Sequence, residues 1–141
     1  MAEGYLRERA ASEGVSHLVV GSAGLLGIEG QPAASHAVRV VRERGIDLSR
    51  HRSRGLRAGD MRTADLVVVM TQSHLEEIHR RFPETAAEVV LLRAFEGGPE
   101  PRGGAPDLED PVMGPVEAHR ASFDTIRLCV DHLLLRLKHA S

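Results

Sequence analysis

Apolar and polar positions along this chain follow two different periods, and each change of period marks an element. Leu66-Val67-Val68-Val69-Met70 is the clearest apolar run, short and β-branched enough to read as a buried strand. His17-Leu18-Val19-Val20 reads as another buried strand, ending in the turn Gly21-Ser22-Ala23-Gly24, and residues 89–92 as a third. Between the strands the period lengthens. Residues 5–11 are helical in composition, with Gly14 as a stop. Ser35 is placed to cap a helix running to Arg44, with Ala37, Val38 and Val41 on one face and Gly45 beyond its end. Ser73-His74-Leu75-Glu76 has capping-box spacing and opens a helix that ends near Pro83. Phe123, Ile126, Val130, Leu133, Leu134 and Leu137 form the core-facing stripe of a closing helix over residues 116–138.

Strands alternating with helices predict an α/β domain built on a parallel sheet. Parallel strands are joined by helical crossovers, yet here the chain opens on a helix with no strand before it. Three strands are also fewer than such a sheet usually has. The expectation is therefore a single domain over residues 1–141 that lacks a strand at its N-terminus. A net charge of −2 gives no electrostatic case for a nucleic-acid or membrane partner. No apolar run approaches the ~18 residues of a membrane span, and the start does not read as a secretory signal. Cys129 is the only cysteine, which excludes an internal disulfide and fits a reducing cytoplasm.

Residues 96–115 carry Gly97, Gly98, Gly103, Gly104 and Gly114 among Pro99, Pro101, Pro106, Pro111 and Pro115. A loop of that length in a compact domain is usually functional or disordered. Asp110-Pro111 lies in it, just ahead of the closing helix. Taken alone, Asp110 reads either as an acid available for proton transfer or as a turn former before proline. Cys129 is a poor nucleophile candidate: it lies mid-helix beside the apolar stripe, and Leu135, not an arginine, stands six positions on. The histidines form no metal pattern, since His74 and His79 are five apart and miss the i, i+4 spacing of paired helix ligands. Neither a metal nor a cofactor is expected.

Five segments together resemble the low-molecular-weight protein tyrosine phosphatase family, which also includes some bacterial arsenate reductases. Met1-Ala2-Glu3-Gly4 is similar to the start of the family's first helix. Ser22-Ala23-Gly24 resembles its second-strand turn, and Gly45-Ile46-Asp47-Leu48-Ser49-Arg50-His51-Arg52 a recurrent connector. Ala64-Asp65-Leu66-Val67-Val68-Val69-Met70 resembles the third strand, and Asp107-Leu108-Glu109-Asp110-Pro111 the acid loop. The resemblance implies a flavodoxin-like fold, a parallel sheet flanked by helices, here without the family's central first strand. It implies a Cys-x5-Arg loop that binds phosphate through backbone N–H groups, a helix N-terminus and an arginine. The cysteine thiolate would attack phosphorus, and Asp110 would protonate the leaving oxygen and then activate water. Ser22 would support the phosphate loop and Pro111 would shape the acid loop; Asp107 is read as structural.

The chain departs from that pattern. It has no Cys-x5-Arg segment, Val112 and Met113 follow Asp-Pro where the family often has aromatics, and Thr71 stands where many members have Asp. The expectation is a phosphatase whose recorded start is an internal methionine, inactive as the chain stands. The expected substrates are a phosphorylated protein or a small phosphomonoester. A non-catalytic pseudophosphatase remnant is the alternative; an arsenate reductase would need further cysteines.

Overall fold

The computed structural model describes residues 1–25, 30–109 and 114–138. Its elements are α1 (Ala2–Ser12), α2 (Ser35–Arg42), α3 (Ala58–Thr63), β1 (Leu66–Val69), α4 (Gln72–Arg81), β2 (Glu88–Leu91), a 3₁₀ turn (Leu92–Phe95) and α5 (Val116–Lys138). β1 and β2 pair in parallel, with Leu66 opposite Glu88 and Val69 opposite Leu91. The expected α/β class with a parallel sheet flanked by helices is the observed one.

Side-chain alternation makes this sheet a wall between two apolar clusters. Leu66, Val68 and Val90 pack with Val40, Val41, Phe95, Phe123 and Val130 on the side of α1, α2 and α5. Val67, Val69, Val89 and Leu91 pack with Met61 and Ile78 on the side of α3 and α4. Both faces of β1 are therefore covered, as in an interior strand, although among the described residues only one edge is paired.

The expected strand at residues 17–20 is not formed. Val19 is fully exposed, and Leu18 and Val20 are half-buried in irregular backbone. A strand exists only where a neighbour takes up its N–H and C=O groups, and no described segment lies alongside residues 17–20 to do so. The chain instead reaches its first bridge at Gly24, whose N–H donates to Arg54 O at 2.7 Å and whose carbonyl accepts from Leu56 N at 2.9 Å.

Local chemistry adjusts other boundaries. α4 is capped by Thr71, not Ser73: Thr71 has extended backbone, and its Oγ1 accepts from His74 N at 3.1 Å. Gly45, at φ +79°, stops α2 in the left-handed region. Gly4 lets α1 lie close on the connector after α2, because a Cβ there would meet Leu48 Cδ2 at 2.9 Å. α1 is held to α5 by the Tyr5 hydroxyl, which donates to Asp131 Oδ1 at 2.9 Å, and by the Tyr5–Phe123 edge-to-face contact.

Candidate active site

A cleft of about 320 Å³ opens at the N-terminal end of α1. Its walls include the first turn of that helix, Ser22, the segment ahead of α2, His51, Met70 at the end of β1, and His119. Helix geometry leaves the first-turn N–H groups without intrahelical acceptors, so this end of α1 attracts negative charge.

Ser22 is on the rim of this cleft. Its Oγ donates to Glu3 Oε1 at 2.5 Å, while Arg7 Nη2 donates to Glu3 Oε2 at 2.6 Å and to Val20 O at 2.7 Å. His51 Nδ1 stands 3.8 Å from the same Glu3 oxygen Oε1. Burial raises the Glu3 pKa, but the hydrogen bonds from Ser22 and Arg7, with the Arg7 and His51 charges, outweigh it and hold the carboxyl below its usual value. A depressed carboxylate pKa stabilises the fold above its unfolded value, and that contribution is lost as pH falls through the folded value. Acid below the ordinary glutamate range should therefore weaken the hold of Glu3 on Ser22. Ser22→Ala should raise the Glu3 pKa in a carbon-detected NMR titration; an unchanged value would rule out this bond as the cause.

The two stems of the loop around Asp110 are anchored differently. On the amino side, Asp107 Oδ1 accepts from Gln72 N at 2.8 Å, capping α4 together with Thr71, and Leu108 N donates to Met70 O at 2.8 Å. The Asp107 carbonyl also accepts from Arg93 Nη1 at 3.1 Å. This matches the structural reading of Asp107. On the carboxyl side, His36 Nδ1 lies 3.3 Å from Gly114 O and His119 Nδ1 lies 3.1 Å from Pro115 O. Asp110 and Pro111 themselves lie outside the described residues, as do Val112 and Met113.

His119 was not legible as a site residue, although its position continues the α5 stripe four residues before Phe123. It is 1% exposed, and its Nε2 is buried with no partner among the described residues. A hydrogen bond contributes about 0.5–1.5 kcal/mol net, whereas an unsatisfied buried polar atom costs about 1–3 kcal/mol.

Cys129 is fully buried in the α5 face of the core. Burial, with a smaller effect of the Glu96 charge and against that of Arg93, pushes its thiol up to about 11. That is the opposite of what activates a thiol as a nucleophile. Among the described residues no three His, Cys, Asp or Glu side chains converge as a metal site. No described helix is long and apolar enough to cross a membrane.

The family model for low molecular weight phosphotyrosine protein phosphatase matches residues 1–141. The chain belongs to this family. A protein-arginine-phosphatase of Geobacillus stearothermophilus is 35% identical over 119 residues, covering 84% of this chain and 76% of the relative. The probable low molecular weight protein-tyrosine-phosphatase EpsP of Ralstonia solanacearum is 33% identical over 138 residues, 98% of this chain and 86% of the relative. Among solved structures, a Cys-to-Ser mutant of YwlE arginine phosphatase with its active-site serine phosphorylated superposes with a TM-score of 0.88 at 29% identity, covering 99% of this chain and 87% of that one.

Proposed function

We propose that this chain is the general-acid portion of a phosphatase that hydrolyses phosphorylated side chains, or small phosphomonoesters, through a phosphocysteine intermediate. Asp110 is the acid and then the base. The sequence itself contains no Cys-x5-Arg segment; a strand carrying one would fit along the open edge of β1 and deliver its loop to the cleft at α1. The observation that carries the reading is the anchoring of both acid-loop stems beside that cleft, through Met70 and Gln72 on one side and His119 on the other. The covered faces and unpaired edge of β1 support it, as does a phosphorylated active-site serine in the YwlE relative. Ser22 and Glu3 would then meet the base of the phosphate loop. A reducing cytoplasm suits both the mechanism and the buried Cys129 thiol.

The substrate is a phosphorylated side chain. The relatives include arginine and tyrosine phosphatases, and Val112 and Met113 in place of aromatics weaken the case for a phosphotyrosine ring. Met1–Ser141 alone is expected to give no turnover of p-nitrophenyl phosphate, because the only thiol, Cys129, is buried and has no arginine clamp. The same polypeptide extended by a strand and Cys-x5-Arg-Ser-Pro should be active without metal, on phosphoarginine or phosphotyrosine peptides. Activity of Met1–Ser141 abolished by Cys129→Ser would overturn the assignment. An extended protein that folds but has no activity would favour a non-catalytic role.

A further inference from the structure

We propose that the N-terminus of α2 and the His119 imidazole form a second oxyanion subsite in the cleft, apart from the start of α1, and that it takes an acidic group next to the phosphorylated residue of a peptide substrate. Its role toward substrate rests on the phosphatase reading; the site itself does not.

α2 starts without a cap. Its N-cap is Ala34, which offers no side-chain acceptor, and no acid stands in the first turn. The N–H groups of Ser35, His36 and Ala37 therefore have neither an intrahelical acceptor nor a capping side chain. Ala33, Ala34 and Ala37 line the cleft, so this helix start and that of α1 open on one space. Aligned peptide dipoles give both ends a partial positive charge.

A helix start alone does not make a site, and His119 supplies the second element. It lines the same cleft, is 1% exposed, and its Nε2 has no hydrogen-bond partner among the described residues. Its ring meets that of His36 edge to face, with centroids 5.2 Å apart, which sets it beside the first turn of α2. Nδ1 faces back along its own helix, 3.1 Å from Pro115 O, a carbonyl that Ala118 N already reaches at 3.0 Å. Nε2, on the other side of the ring, is the nitrogen left for a ligand. An imidazole nitrogen meets an oxyanion as an N–H donor, and charge-assisted bonds of this kind are the stronger ones. Glu3 is the only acid among the described residues of the cleft wall, and its carboxylate is taken up by Ser22 and Arg7. His51, the remaining titratable side chain of that wall, stands beside Glu3. An anion at α2 thus meets little repulsion.

The test titrates inorganic sulfate into ¹⁵N-labelled Met1–Ser141 and into the extended polypeptide. Amide resonances of Ser35, His36 and Ala37 should shift with one Kd, and the His119 Nε2 resonance should move to its protonated position with the same Kd. Ala34→Asp places a carboxylate on those amides. It should raise the urea midpoint and yet weaken sulfate binding by about tenfold, a combination that damage to the fold does not produce. His119→Phe should weaken binding by a similar factor. In the extended polypeptide, glutamate beside the phosphorylated residue of a peptide should lower KM relative to alanine there, and Ala34→Asp should erase the difference. Sulfate shifts confined to residues 2–4 would overturn the subsite, as would shifts at α2 with Nε2 unmoved, or Ala34→Asp binding sulfate like its parent. Equal KM for the two peptides in the parent would overturn the substrate role. If the extended polypeptide folds but has no activity, the phosphatase reading fails, while the sulfate titration of Met1–Ser141 still decides the subsite.

Discussion

Asp110→Asn, in the polypeptide extended by a strand and Cys-x5-Arg segment, is expected to lower kcat/KM for phenyl phosphate by about 10²–10⁴-fold. Phenolate is a poor leaving group, and without a proton it departs as a full anion beside a phosphate that is already charged. Asparagine keeps the size and much of the hydrogen bonding of aspartate but has no proton to give. For p-nitrophenyl phosphate the leaving anion is stabilised by its own ring, so the loss should be smaller. Because kcat/KM reports steps up to formation of phosphocysteine, the comparison isolates protonation from the later attack of water. A variant as fast as its parent on phenyl phosphate would show that Asp110 has another role.

The same N-terminal extension should raise stability by an amount comparable with that of a whole domain. β1 has apolar neighbours on both faces, but one edge has no described partner, and Val19 stands in solvent where a strand was expected. A central strand that buries four apolar side chains, at about 1.5–3 kcal/mol each, adds about 6–12 kcal/mol. Typical domains have about 5–15 kcal/mol in total. Met1–Ser141 should therefore melt broadly or associate through its open edge, whereas the extended protein should unfold cooperatively as a monomer. Urea titrations with sedimentation on both proteins give the comparison. A sharp monomeric transition of Met1–Ser141, matching the midpoint of the extended protein, would refute it.

The sequence carried the elements whose burial is decided locally. Four consecutive β-branched or leucine positions made β1 plain, and the stripe from Phe123 to Leu134 made α5 plain, because their neighbours are supplied by the chain itself. Residues 17–20 share the apolar Leu-Val-Val run of β1 but need a partner strand, a fact that no local pattern contains. α3 was missed because six residues, Ala58–Thr63, with a glycine among them and one buried side chain, Met61, show no period. The α4 cap was misread because Ser73 and Thr71 are both capping types, and the choice follows from the extended backbone at Thr71. Asp110-Pro111 was legible as a motif, yet the contacts that hold the residues on either side of it were not. His36 and His119 are 83 positions apart in the sequence, and only the packing of α2 against α5 brings them to one stem.

The pairing of β1 with β2 has a consequence for how the chain closes on itself. Leu66 faces Glu88, so each rung joins residues 22 positions apart, whereas the Tyr5–Asp131 bond spans 126. Loop-closure entropy grows with the logarithm of that separation, which makes the terminal contact costlier by about 1.5 kcal/mol than a rung of the sheet. The segment from β1 through α4 to β2 can thus form from nearby parts, with its own small cluster around Met61 and Ile78. The α1–α5 seam comes late, once the intervening chain is compact. The cleft at α1 is built on that seam, so the part of the molecule that would receive phosphate is also the last to be assembled.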